Sequence, residues 1–282
     1  MILVFGKTGQ VATELQRQAD VVALGRDQAD LSDPAACAEV IRNSNASVVI
    51  NAAAYTAVDK AEEEEALATV INGEAPGAMA WACSDKGIPF LHISTDYVFA
   101  GDGELPWIEE DPVAPQNAYG RSKLEGELAV LEAGGNSVIL RTSWVFSAHG
   151  NNFVKTMLRL SETRGALSVV DDQIGGPTPA DRIARALLTM AEAMQAGQEG
   201  GIYHFAGQPE TSWAGFAKEI FAQAGKSVEV TGIPSSDYPT PALRPLNSRM
   251  DCQKLEADFG IVAPSWQDGV ARVLLDLKET AL

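Results

Sequence analysis

The sequence predicts an α/β fold, a doubly wound parallel sheet with a smaller lobe formed mainly by the C-terminal part, and three observations carry that prediction. A short apolar run at the start of the chain passes through a glycine turn into a helical pattern. Short β-branched runs then alternate with helical stretches, the signature of strands joined by crossover helices. Small residues stand where two of the strands end, leaving room there for a flat ligand.

In order, Ile2 to Phe5 reads as the first strand and Gly6-Lys7-Thr8-Gly9-Gln10-Val11-Ala12 as the turn, with a helix from Val11 to about Gln18. After a strand, Gly6 permits the tight turn, Gly9 lets a backbone approach a pyrophosphate, and small Ala12 lets helix and strand pack. This is a dinucleotide-binding (Rossmann) pattern, with Thr8, Gln10 and Val11 completing the turn that faces the cofactor. Val21 to Leu24 is the second strand and leads to Gly25-Arg26-Asp27. A basic residue here suits a ribose 2′-phosphate and an acidic one a 2′-hydroxyl, so Arg26 favours NADPH while Asp27 keeps NADH open. Ser32-Asp33-Pro34 opens the next helix.

Ser47 to Asn51 is a β-branched strand running into Ala52-Ala53-Ala54, read equally well as a cofactor-facing end or as a packed strand-to-helix turn. The acidic run from Glu62 to Glu65 is a solvated helix face, and a helix extends through Trp81 and Cys83. The strand from Pro89 to Thr95 delivers two hydroxyls at its end, Ser94 and Thr95. Residues 96–117, rich in glycine and proline, form a long irregular loop of the kind that carries function. The loop hands the chain to a helix from Tyr119 to about Ala133, in which Tyr119 and Lys123, four apart, share one face. Held together, a phenol and an ammonium make a proton donor whose pKa is drawn down toward neutrality.

Ser137 to Thr142 is a further strand, left through Ser143-Trp144-Val145-Phe146. A helix to about Glu162, a strand from Leu167 to Val170, a helix from Pro179 to Met194, a strand over Tyr203-His204-Phe205 and a helix opening at Thr211-Ser212-Trp213 follow. The proline-rich stretch from Tyr238 to Pro245 is too apolar for a free linker and reads as a loop folded over something; a helix from Trp266 to Leu277 ends the chain. Residues 1–145, with contributions from about 165–195, make the dinucleotide-binding domain; residues 146–282 make an interleaved substrate lobe.

Composition excludes several classes. A formal charge of −17 speaks against nucleic acid, whose backbone demands clustered Lys and Arg. Three scattered cysteines give neither a disulfide framework nor a zinc site and fit a reducing cytoplasm. The start of the chain does not read as a secretion signal, and no apolar run approaches the roughly 20 residues that cross a bilayer. His92, His149 and His204 lie far apart without ligand spacing, so no metal is assigned to them.

Together Gly6-x-x-Gly9-x-x-Ala12, Asp30-Leu31, Asn51-Ala52-Ala53, Ser94-Thr95-Asp96 and Tyr119-x-x-x-Lys123 resemble the extended short-chain dehydrogenase/reductase superfamily. Longer stretches are similar to its dTDP-4-dehydrorhamnose reductase family: residues 5–11, 51–62, 94–99, 141–145, 150–154 and Arg244-Pro245-x-x-Ser248. The resemblance implies reduction of a 4-keto nucleotide sugar by NADPH or NADH, for rhamnose-containing polysaccharides such as the O-antigen. Tyr119, Lys123 and Thr95 are then catalytic, with Lys123 stabilising the phenolate and holding the nicotinamide ribose. Asp30, Leu31, Ala52, Ala53 and Ala54 join the cofactor site. Thr56, Val58, Tyr97 and Trp144 wall the sugar, and Arg244 meets the diphosphate, for which a guanidinium is well shaped. Dehydratases of the superfamily place an Asp-Glu pair after the catalytic threonine; here Tyr97 follows Asp96, so the second carboxylate is missing. An epimerase would keep NAD tightly bound between turnovers. The family also resembles a non-catalytic subunit of methionine adenosyltransferase, a reading that the retained Tyr119 and Lys123 disfavour. Some relatives resemble homodimers bridged by magnesium, with Glu14 placed as one carboxylate.

Overall fold

The computed structural model describes residues 1–279. Its centre is a six-stranded, all-parallel sheet of β1 (Ile2–Phe5), β2 (Val21–Leu24), β3 (Val48–Asn51), β4 (Phe90–Thr95), β5 (Ser137–Thr142) and the strand Gly201–His204. The spatial order is β2–β1–β3–β4–β5–(Gly201–His204). Both faces are covered, as an all-parallel sheet requires. Because side chains alternate along a strand, Val4, Ile50, Leu91 and Leu140 point to one face and pack under helices Gln10–Gln18 and Ala180–Gln195. Leu3, Phe5, Val49, Phe90 and Ile139 point to the other and meet helices Pro34–Asn43, Ala75–Lys86 and Ala118–Glu132.

The chain leaves β1 for β2 on one side and then crosses back to β3 on the other. The strand order thus reverses between β1 and β3, and a crevice opens at their carboxyl ends. One glycine closes the floor of that crevice. Gly6 has φ of +108°, and a Cβ there would sit 3.3 Å from the Ala52 carbonyl and the Ala53 nitrogen. Only glycine lets the two turns approach this closely.

The smaller lobe has its own apolar core, in which Phe146, Val154, Phe216, Ile220, Trp266 and Val270 are buried. Three features depart from the sequence reading. Strand Glu229–Ile233 pairs in parallel with Ala166–Val170, and helix Gln253–Phe259 follows it; neither is legible beforehand, the strand because it holds a glycine and buries little. The expected helix through Trp81 is interrupted by a π-turn at Val70–Glu74. There the Asn72 side chain clamps the Tyr55 backbone on both sides and donates to Ser122 Oγ at 2.9 Å. Insertions of this kind recur at functional sites.

His92 and His204 are wholly buried. Burial first, then the Arg141 charge, lowers His204 to about 3, and burial with Lys123 depresses His92 well below its usual range. A depressed histidine stabilises the fold above its unfolded value of 6.5 and loses that contribution as pH falls toward the folded value. Asp96, raised by burial to about 6, acts in the opposite sense between pH 6 and the ordinary carboxylate range. Two histidines against one aspartate leave a net downward slope in stability as pH falls below 6. Chemical denaturation at stepped pH should show this slope, and His204→Phe should reduce it by about one proton; an unchanged slope in that variant would rule out His204 as its source.

Candidate active site

The glycine turn prepares a phosphate site. Gly9 caps helix Gln10–Gln18 in an extended conformation, and no side chain caps the helix, so its first N–H groups face the crevice. Thr8 and Gly9 are exposed at the mouth, while Val11 is buried beneath the turn. The Gln10 side chain is turned away from the crevice. It donates to the Val145 carbonyl at 3.3 Å and accepts from Ser147 and Asn152 at 2.8 and 2.9 Å, tying the turn to the second lobe. Gln10 therefore faces the crevice through its backbone. Past β2, the exposed Arg26 pairs with Asp30 at 3.0 Å, a surface contact weak enough to yield to a ligand. Lys7 lies across Gly25 beside it, since a Cβ on Gly25 would meet the Lys7 chain at 3.6 Å. The Leu31 side chain belongs to the core and Asp30 also accepts the Ser32 N–H, so this pair shapes the turn. Ala52, Ala53 and Ala54 follow β3, increasingly open toward Ala54.

Helix Ala118–Glu132 brings up the tyrosine and lysine. Asn117 caps it by accepting the Gly120 N–H at 2.7 Å. Gly120 itself is required: a Cβ there would lie 2.3 Å from the Tyr97 carbonyl, so any side chain would push the helix away from the end of β4. Tyr97 and Tyr119 consequently meet edge to face, with centroids 5.5 Å apart. Thr95 ends β4; its hydroxyl donates to Asp96 Oδ1 at 3.0 Å and accepts the Tyr97 N–H at 3.2 Å. Asp96 is held on its other oxygen by Ser248 Oγ at 2.5 Å.

The electrostatics differ from the sequence expectation. Tyr119 is pushed up to about 12, chiefly by burial and further by the Asp96 charge, while a hydrogen bond with Thr95 works the other way. Lys123 exerts no downward pull here, because its amine is turned inward, 2.7 Å from the Ile93 carbonyl and 3.1 Å from His92 Nε2. Burial also lowers Lys123, to about 8, with Glu127 opposing. In the free protein the pair rests as a neutral phenol beside an amine that holds its proton weakly.

On the opposite wall, Trp144 has φ of +48°, a left-handed conformation that a bulky side chain adopts only under constraint. Its ring stacks on Trp213 at 3.7 Å and packs against Gly175, which in turn touches Ser248. Trp144, Gly175, Ser248, Asp96 and Thr95 thus form one continuous chain of contacts. Thr56 is exposed and Val58 opens the short helix Val58–Ala61. Arg244 does not stand free in an anion pocket. Its guanidinium pairs with both Asp59 oxygens at 2.9 and 2.8 Å, and Asn117 donates to the Leu243 carbonyl at 2.7 Å. The proline-rich loop is therefore clasped over the start of the tyrosine helix and the segment carrying Thr56 and Val58.

Asp59, Trp213 and Ser248 were not singled out as site residues in the sequence. Ser248 lies within the Arg244-x-x-x-Ser248 stretch, but no local signal joins Trp213 to Trp144. Glu14 is buried and accepts from His149 at 2.8 Å and Arg17 at 3.2 Å. Among the described residues no group of three or more His, Cys, Asp or Glu side chains is placed to hold a metal ion.

Comparison with known proteins agrees with this geometry. A family model described as the RmlD substrate binding domain matches residues 1–279. A dTDP-4-dehydrorhamnose reductase of Sinorhizobium fredii is 45% identical over 284 residues, covering 97% of this chain and 96% of that protein. A crystal structure of a dTDP-4-dehydrorhamnose reductase from Clostridium acetobutylicum superposes with a TM-score of 0.92 at 37% identity, over 99% of each chain. The Bacillus anthracis dTDP-4-dehydrorhamnose reductase, solved in complex with NADP, gives 0.91 at 34% identity over 98% of each. The parallel sheet, the tyrosine helix at its carboxyl edge and these matches over nearly the whole length place the chain in the RmlD substrate binding domain family.

Proposed function

We propose that this protein reduces the 4-keto group of dTDP-4-dehydro-L-rhamnose with NADPH, giving dTDP-L-rhamnose for rhamnose-containing polysaccharide. The observation that carries the proposal is the Thr95–Tyr119 contact at the sheet's carboxyl edge, with Tyr97 where a second carboxylate would be needed for dehydration. The cofactor, when bound, supplies hydride to the carbonyl carbon. Charge then develops on oxygen, and Tyr119 is the residue placed to give it a proton, while Thr95 orients the carbonyl. Lys123, on the same helix face as Tyr119, stabilises the phenolate that remains.

The naked first turn after Gly9 suits the pyrophosphate, and Arg26 with Lys7 supplies two cations for a 2′-phosphate, which supports NADPH over NADH. Related support comes from the Bacillus anthracis homologue, whose structure holds NADP. The substrate diphosphate would compete with Asp59 for the Arg244 guanidinium, and Trp144, Tyr97, Thr56 and Val58 would wall the sugar. Magnesium at Glu14 finds no support in this arrangement, because the carboxylate is already engaged by Arg17 and His149. Among the described residues no helix is long and apolar enough to cross a membrane, which accords with a cytoplasmic enzyme acting on a soluble nucleotide sugar.

Purified protein should oxidise NADPH only when the 4-keto sugar nucleotide is supplied. Tight NADPH binding without turnover on that substrate would overturn the reductase reading.

A further inference from the structure

Behind Lys123 lies a chain of buried polar groups that the reduction chemistry does not use. Asn51, at the end of β3, accepts the Ala53 N–H on Oδ1 at 3.1 Å. That bond fixes the amide's orientation and turns Asn51 Nδ2 toward His92 Nδ1, also at 3.1 Å. His92 Nδ1 must therefore accept. A neutral imidazole carries one proton, so the proton is on Nε2, and a tautomer is assigned in this way from its fixed partner. The doubly protonated ring is excluded, because Nδ1–H would face the amide's own N–H.

His92 Nε2–H points at Lys123 Nζ, 3.1 Å away. A hydrogen bond across that distance needs a lone pair on Lys123. An ammonium has three donors and no acceptor, whereas the free amine accepts from His92 and donates to the Ile93 carbonyl at 2.7 Å. Of the other titratable and charged groups around the pair, Glu127 favours the ammonium, but its charge is already paired with Arg141. Glu127, one turn along the helix, is engaged by Arg141 of β5 and by Ser94 of β4; Tyr119 rests as a neutral phenol; and Phe90 stacks on the imidazole at 6.2 Å.

Resting on the reductase reading above, we propose that Asn51 and His92 are positioning residues that hold Lys123 as its free amine in the unliganded site, so that binding the cofactor draws in the proton the reduction consumes. Reduction of a ketone by NADPH takes up one proton per turnover. The cofactor brings phosphate charge and ribose oxygens, both of which favour an ammonium. On protonation Lys123 can no longer accept from His92, and its N–H groups seek acceptors on the open side of the site, where Tyr119 stands. The proton balance closes: bulk solvent supplies Lys123 on binding, Tyr119 gives its proton to the substrate oxygen, and Lys123 restores Tyr119. Burial of Lys123 works in the same direction.

The test is calorimetric titration of the protein with NADPH at about pH 8.5, in two buffers of different ionisation enthalpy, which counts protons taken up. Wild-type protein should take up roughly one proton per NADPH bound. His92→Gln can place a carbonyl oxygen against Lys123, letting it rest as the ammonium, and should take up less than about a third of that. Asn51→Ala frees His92 Nδ1 to carry the proton and should lower the count in the same way. The rise in KM for NADPH above about pH 8 should move to higher pH in both. A buffer-independent binding heat in wild-type protein overturns the proposal without needing any variant, as does an undiminished count in a folded variant. Failure to bind NADPH at all would instead bring down the reductase reading and this inference with it.

Discussion

Tyr119→Phe should lower kcat by about 10²–10⁴-fold while leaving NADPH affinity within roughly threefold of wild type. The phenyl ring keeps the edge-to-face contact with Tyr97, so the wall is preserved and only the hydroxyl is lost. Without it no side chain next to Thr95 can deliver a proton: Thr95 donates to Asp96, and Asp96 is itself held by Ser248. The size of the effect follows from the resting state of Tyr119. Burial pushes its phenol up to about 12, so in the free protein it is a poor acid. Its usefulness depends on the charge that builds on the substrate oxygen and on Lys123 becoming cationic, both of which arise only in the loaded site. Steady-state rates together with an NADPH titration separate the two quantities. A turnover within tenfold of wild type would remove Tyr119 from the proton step, and a matching loss of NADPH affinity would recast it as a binding residue.

What could be read in advance, and what could not, divides along physical lines. The glycine turn, the strand ends and the tyrosine–lysine spacing are local: each element is specified by residues adjacent in the chain. The tyrosine helix is likewise legible from Tyr119 onward, whereas its Asn117 cap and the close approach at Gly120 emerge only in the fold. Protonation is not local. The lowered Lys123 and raised Tyr119 depend on burial, and Tyr119 also on the Asp96 charge, so these proton states follow from the packed fold and not from adjacency in a helix. The Arg244–Asp59 clasp spans 185 positions. The sequence points Arg244 at an anion, but not at the carboxylate that occupies it first. Trp144 gave no sign of its left-handed backbone, which is imposed by the packing of Trp213, Gly175 and Ser248 around it.

The same division identifies the position at which one change should do most damage to the fold. Glu127 and Arg141 are almost fully buried, with side-chain exposures of 2% and 3%. The guanidinium donates to both carboxylate oxygens, at 3.0, 3.2 and 2.7 Å, and Ser94 adds a hydrogen bond at 2.5 Å. Glu127→Ala leaves Arg141 charged and unpaired inside the protein, with only the neutral His204 at 3.4 Å and the Phe99 ring at 4.9 Å beside it. Removing one partner of a buried pair costs about 3–5 kcal/mol, which lowers Tm by roughly 6 °C or more. The double change Glu127→Leu with Arg141→Met removes both charges and should recover most of that loss, since well-packed apolar side chains often replace a buried pair at little cost. Thermal unfolding of the single and double variants decides the matter; a double variant no more stable than Glu127→Ala would show that the pair matters through something other than its charges. The recovery should not extend to activity. Glu127 opposes the burial that depresses Lys123, so its loss drives Lys123 further toward the amine. In the double variant the rate should therefore begin to fall at lower pH than in wild type, even with stability restored, because the network under the lysine sets its proton as well as its place.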